Sequence, residues 1–182
     1  PLTGEYAFVG PDTLSPSAIN QGINYAEEEY DKYPLWIPWV FSGLPSVHSF
    51  QNISDYYFPN IIINIIKFLG LPGFWNYIFH FIITCFGVIL ILRILNVSWF
   101  GSIYSGLSFG LMPYLITMVV HGHGSQMMSV AWMPWFIWAM VRLYRSVNLI
   151  NVGILSIIVG LQLQRAHVQI AYYSWLIAGI LI

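Results

Sequence analysis

The sequence predicts an all-α integral membrane protein: a multi-span helical bundle preceded by an extracytoplasmic loop that carries a juxtamembrane helix. Three observations predict it. Of the 182 residues, 58% are hydrophobic and only 7% are charged, against about 25% charged in an ordinary soluble domain. Aromatic residues make up 18% of the chain, the enrichment expected where side chains meet bilayer interfaces. The charge is also segregated: residues 1–60 sum to −6 and residues 61–182 to +5. This composition excludes a soluble globular fold and a disordered tail. Six Lys and Arg with a net charge of −1 exclude a nucleic-acid binder.

The acidic part comes first. Every carboxylate lies between Glu5 and Asp55. Residues 1–73 read as the first outer loop. Ser15-Pro16 supplies an N-cap followed by Pro at the first helical position, so a surface helix is expected over 16–31. Its Ile19, Ile23, Ala26 and Tyr30 make an apolar stripe, and the Glu27-Glu28-Glu29 run a solvated face. Tyr33 to Pro45, aromatics between prolines, reads as loop. Residues 57–69 are apolar but too short to span; Asn60, Asn64 and Lys67 suit an interfacial helix that Gly70-Leu71-Pro72-Gly73 ends.

The hydrophobic body follows. About 20 apolar residues cross a ~30 Å hydrocarbon core, and spans are expected over about 74–95, 98–120, 126–145, 148–164 and 168–182. Ser98, Ser102, Gly106 and Gly110 form a small-residue stripe for close helix approach. Pro113 and Pro134 are each expected to kink a span. Arg93, Arg142 and Arg145 close the first and third spans, which puts those ends on the cytoplasmic side. The outer loop, the turn around His121–Gln126 and the turn around Gln164–Gln169 then face outward. The single Cys85 allows no internal disulfide. The chain opens on Pro1 and stops inside an apolar run at Ile182, and it reads as a portion of a longer protein.

With that topology every histidine is on the outer face or in the outer third of a span, so a reaction centre is expected outside. Asp12 is either a loop acid that helps start the first helix or a general base. His121-Gly-His123 resembles a metal pair, but i, i+2 spacing in a Gly-rich turn with no acid nearby is not a metal motif. Simple turn chemistry, or hydrogen bonds to a polar ligand, is favoured there over a divalent metal. Gln164, Arg165, His167 and Gln169 between two spans would be costly to bury without partners; they read equally as an exposed turn or as the lining of a wet pocket, with Arg165 suited to a phosphate oxygen. Trp36 and its aromatic neighbours are expected to anchor at the interface, with stacking on sugar faces as the rarer use.

Asp12-Thr13-Leu14, Pro34-Leu35-Trp36-Ile37-Pro38, Phe41-Ser42-Gly43-Leu44-Pro45, Gly122-His123-Gly124-Ser125-Gln126-Met127-Met128, and Leu161-Gln162-Leu163-Gln164 with His167, Gln169, Tyr172 and Tyr173 together resemble the bacterial YfhO-type membrane proteins. These are similar to the GT-C class of polytopic glycosyltransferases. The resemblance implies the N-terminal portion of a longer enzyme of the bacterial cytoplasmic membrane. It implies a polyprenyl-phosphate sugar donor, with membrane lipid around it, and a glycan or lipid acceptor on the outer side. It implies Asp12 as the catalytic base, Arg165 and His167 as holders of the donor phosphate, and His123 and Gln126 at the border of the same cavity. Where relatives are expected to carry an acid and a Lys after the Gly-His pair, this chain has Gly124, Ser125 and Gln126, which weakens a metal role. The rival expectation is a lipid-linked glycan flippase or a non-catalytic envelope assembly protein.

Overall fold

The computed structural model describes residues 11–32, 34–38, 42–45, 57–165 and 167–181, with the backbone alone at 11–18, 20, 44, 45 and 181. The described residues are mostly helical. In chain order they form α1 (Pro11–Tyr30), β1 (Trp36–Ile37), β2 (Leu44–Pro45), α2 (Asn60–Phe68), α3 (Trp75–Ile94), α4 (Trp99–Gly110), α5 (Pro113–Val120), α6 (Gly124–Arg145), α7 (Leu149–Leu163) and α8 (Val168–Leu181). Among the described residues, α3 and the stretch Trp99–Val120 are long and apolar enough to cross a membrane; α7 and α8 are apolar but shorter.

Local sequence sets the ends. Ser98 and Asn148 cap α4 and α7 by accepting from the amides of Gly101 and Asn151. Helices α2, α3 and α5 end alike, with a left-handed residue at Gly70, Asn96 and Gly122. In each, the next residue's amide returns to a carbonyl five residues back: Leu71 to Ile66, Val97 to Leu92, His123 to Met118. The chain therefore reverses sharply at both ends of the bundle.

Three local expectations need correction. The first helix begins at Pro11, not at residue 16; Pro11 itself takes the first helical position, where proline gives up no helical hydrogen bond, and Pro16 is the sixth residue of the helix. Asp12 is thus in a helical first turn, not a loop. Second, the span expected over 98–120 is two helices. Met112 is extended at ψ 142°, as a residue before proline prefers, and Pro113 starts a new helix instead of kinking one. Third, the aromatic loop contains a two-residue antiparallel ladder, Trp36 opposite Pro45 and Ile37 opposite Leu44. Gly43, at φ +125°, lies under the Trp36 indole, where a Cβ would collide. Pro134, by contrast, lies inside a helix that runs on to Arg145.

Helix α6 is the centre, packed against α3, α5, α7 and α8. Helix α3 lies between α6 and α4 and is narrow on both sides. A Cβ on Gly87 would strike Pro134 and Trp135 of α6, and one on Gly106 would strike Cys85 and Ile89 from α4. Ser102, Gly106 and Gly110 are buried in that second contact, which is the close approach the small-residue stripe permits. Across the centre, buried Gln162 of α7 donates to the Ser129 carbonyl of α6 and to Ser174 of α8. Arg145 of α6 donates to the Ile94 carbonyl of α3 at 2.8 Å, while Gly124 of α6 abuts the Tyr77 hydroxyl of α3. These two helices therefore run parallel, and the turns around 70–74, 121–124 and 164–167 share one end of the bundle.

Candidate functional site

At that shared end, a cleft of about 500 Å³ is lined by Asn60, Ile63, Asn64, Lys67, Gly73, Asn76 and Arg165. Helix α2 explains one wall. Its Asn60, Asn64 and Lys67 fall at helical spacing and line the cleft, while Ile61, Ile62, Ile65 and Phe68 are exposed on its other surface. The helix turns polar side chains toward the protein and apolar ones away. That is the reverse of a water-soluble surface helix.

The opposite wall is Arg165, in the turn after α7 and only 8% exposed. Among the described residues no carboxylate forms an ion pair with it. Its Nε is buried without a hydrogen-bond partner there, and its guanidinium carbon lies 4.7 Å from the centre of the Tyr57 ring, within cation–π range. Burial pulls the guanidinium pKa below its ordinary value, and the nearby Tyr57 and Tyr77 partly restore it.

Tyr57 is itself held. Its hydroxyl lies 3.0 Å from His80 Nε2 and accepts from Trp132 Nε1 at 2.8 Å. His80 Nδ1 is 2.7 Å from the Asn76 carbonyl. A carbonyl can only accept, so Nδ1 carries the proton, Nε2 is the acceptor, and the Tyr57 hydroxyl donates to it. Burial raises the phenol's pKa, opposed by the Trp132 N–H and by Arg165, so it stays protonated and able to donate.

On the other side of α2 an apolar groove of about 660 Å³ runs down the bundle. Phe58, Pro59, Ile61 and Ile62 border its mouth, and Trp132, Trp135 and Trp138 with Ile154 and Leu161 carry it along α6 and α7. The cleft and groove are separated by little more than α2 and Tyr57.

The sequence-predicted residues divide. Arg165 is buried in the cleft, which resolves the choice between exposed turn and pocket in favour of the pocket. Among the described residues the group it lies against is an aromatic ring, that of Tyr57. His167 is half-buried beside it in sequence; burial lowers its pKa, and His123 adds a smaller push in the same direction. Gln164 has a buried Oε1 without a partner among the described residues. Gln169 points elsewhere: it is exposed and donates to Tyr173 at 2.8 Å. His123 and Gln126 line a separate, smaller hollow of about 310 Å³ with Tyr114, Thr117, Met118 and His121. They do not border the Arg165 cleft, contrary to expectation. Trp36 is 55% exposed on its ladder. The Asp12 side chain lies outside the described residues, as do His48 and Asp55.

Lys67, Asn76 and Tyr57 were not foreseen as site residues. The spacing of Asn60, Asn64 and Lys67 is visible in the sequence, but it reads equally as the wet side of an interfacial helix. For a divalent metal the donor set is poor. Among the described residues no three His, Cys, Asp or Glu side chains come together, and His121 Nδ1 is engaged with the Thr117 carbonyl at 2.9 Å. No step is derived through a metal.

No protein-family model matches the chain, and no curated protein and no solved structure matches it.

Proposed function

We propose that this chain belongs to a multi-pass glycosyltransferase of the YfhO and GT-C type in the bacterial cytoplasmic membrane. It moves a sugar from a polyprenyl-phosphate donor to an extracytoplasmic glycan or lipid acceptor. One observation carries the reading: a buried guanidinium with no carboxylate partner among the described residues faces Lys67 across a polar cleft, with an apolar groove just across α2. A phosphodiester headgroup, singly charged until the sugar leaves and dianionic afterwards, on a long hydrocarbon tail matches both halves. The phosphate takes Lys67 and the edge of Arg165. Asn76 and Asn64, which line the cleft, face the sugar, and the tail follows the tryptophans into the groove.

In this reading the acceptor hydroxyl oxygen attacks the anomeric carbon and its proton passes to Asp12. The carbon–oxygen bond to phosphate breaks, and polyprenyl phosphate leaves with the electron pair. Arg165 and Lys67 stabilise the charge that grows on the leaving phosphate. Cations at Arg93, Arg142 and Arg145 set the opposite end on the cytoplasmic side. The test is whether sugar is lost from a polyprenyl-phosphate donor in vesicles holding the full-length protein. Asp12→Asn should abolish that transfer and leave membrane insertion intact. Movement of intact lipid without sugar release would favour a flippase instead, and full transfer by the Asn variant would remove Asp12 from the chemistry.

A further inference from the structure

The cleft leaves a mechanical question. A guanidinium that recognises phosphate must present its edge, where the N–H bonds point, and hold that plane before ligand arrives. A carboxylate would usually hold it, but would also compete for the same N–H groups. Among the described residues no carboxylate does so. The group Arg165 lies against is the Tyr57 ring, 4.7 Å from the guanidinium carbon.

An aromatic platform has the geometry this requires. It attracts the cation through the face of the ring and uses none of its N–H donors. The guanidinium carbon lies over the ring, a contact that takes up no N–H donor and leaves the group's remaining donors for a ligand in the cleft that Arg165 lines. The platform must not tilt, and three contacts prevent it. The Tyr57 hydroxyl is fixed at one side by His80 and at the other by Trp132. Trp132 also meets the ring edge-on at 80°. His80 in turn is tied to the Asn76 carbonyl, and Asn76 is itself a wall of the cleft. Tyr57 is 1% exposed, so it does not touch a ligand that fills the cleft.

We propose that Tyr57 is the positioning residue of this site: its ring orients Arg165 so that the guanidinium edge faces a bound phosphate, and the His80–Trp132 clamp on its hydroxyl keeps the ring in place. The inference rests on the reading of Arg165 as a phosphate ligand. It assigns separate tasks to two parts of one side chain: the ring holds the guanidinium, and the hydroxyl, together with the packing around the ring, anchors the ring in the fold.

The experiment titrates the full-length protein in detergent with farnesyl phosphate, and with farnesol as the matched probe lacking the anion. Wild type should prefer farnesyl phosphate. Tyr57→Phe keeps the ring and should bind within about threefold of wild type, with a lower Tm because His80 and Trp132 lose their partner. Tyr57→Leu should bind farnesyl phosphate roughly tenfold more weakly, the scale of a desolvated cation–π contact, with farnesol unchanged. Should the Leu variant not fold, phenylalanines carrying one, two and three fluorines at position 57 keep the shape while weakening the ring's negative face. Affinity should then fall stepwise with fluorine count. Flat affinity across the fluorinated series overturns the role of Tyr57 and leaves the phosphate reading standing. A wild type that binds farnesyl phosphate no better than farnesol overturns both.

Discussion

The two ends of the bundle use arginine differently. At one end Arg93 donates to the Val97 carbonyl and covers the Trp99 ring, Arg145 donates to the Ile94 carbonyl, and Arg142 lies over Trp138. All three lie in the last turn of a helix, where the dipole favours positive charge, and Arg145 also meets a terminal carbonyl of α3. All three are half-buried or exposed. At the other end Arg165 also follows a helix C-terminus, but it is buried, donates to no described carbonyl, and faces a second cation across a cleft. Burying an unpaired charge is unfavourable for folding. The contrast teaches that position at a helix end does not define a cation's task; what its donors face does.

The sharpest way to break that contrast is Arg165→Met. It should weaken farnesyl phosphate binding roughly 10- to 100-fold, the range for hydrogen bonds to a charged group. It should leave Tm unchanged or raised, since a desolvated charge is removed. A large fall in Tm with binding intact would make Arg165 structural, like its counterparts at the far end. Lys67→Gln should cost roughly three- to fivefold in the same titration and lose most of that effect at high salt, because Lys67 is exposed and screened. Arg145→Gln should do the reverse of Arg165→Met: binding unchanged, and stability lower by roughly half a kcal/mol for one exposed bond to a carbonyl. Detergent melting curves separate these outcomes.

The smallest effect is a pH dependence confined to the cleft end. His167 has its pKa held below 6.5 by burial. Between that lowered value and 6.5 the unfolded chain binds more proton than the folded one, so stability falls as pH drops through this window and is level above it. A shallow loss of Tm on acidification is expected, made smaller but not removed in His167→Gln, because His80 must also stay neutral to accept from Tyr57. A slope unchanged in the Gln variant would show that His167 contributes nothing to it.

Much of the helical framework is legible in the sequence because its signals are local. Uncharged runs bounded by Arg93 or Arg145, and Gly70, Asn96 and Gly122 where a left-handed turn is needed, mark ends without reference to any neighbour. The misplaced start of α1 arose from reading Ser15-Pro16 as its beginning, when Pro11, five residues earlier, offers the same proline at the first helical position. The site was less legible. Arg165 stood out because a cation in an outer turn is unusual in such a composition. Its partners did not, since Tyr57, His80 and Trp132 are separated by 23 and 52 residues along the chain, and an apolar sequence contains many aromatics that could have met it.

Composition and charge order alone determined that this chain is helical, apolar and polarised, with its acids ahead of its cations. Such properties add up residue by residue and need no folded arrangement. Which cation is buried, which surface of α2 faces inward, and whether His123 and Arg165 share a cavity were decided only by packing. Helix α6 brings α3 and α7 together, and His123 and Arg165 line separate hollows. Both are consequences of which side chains meet across the bundle, and no stretch of sequence carries that information by itself.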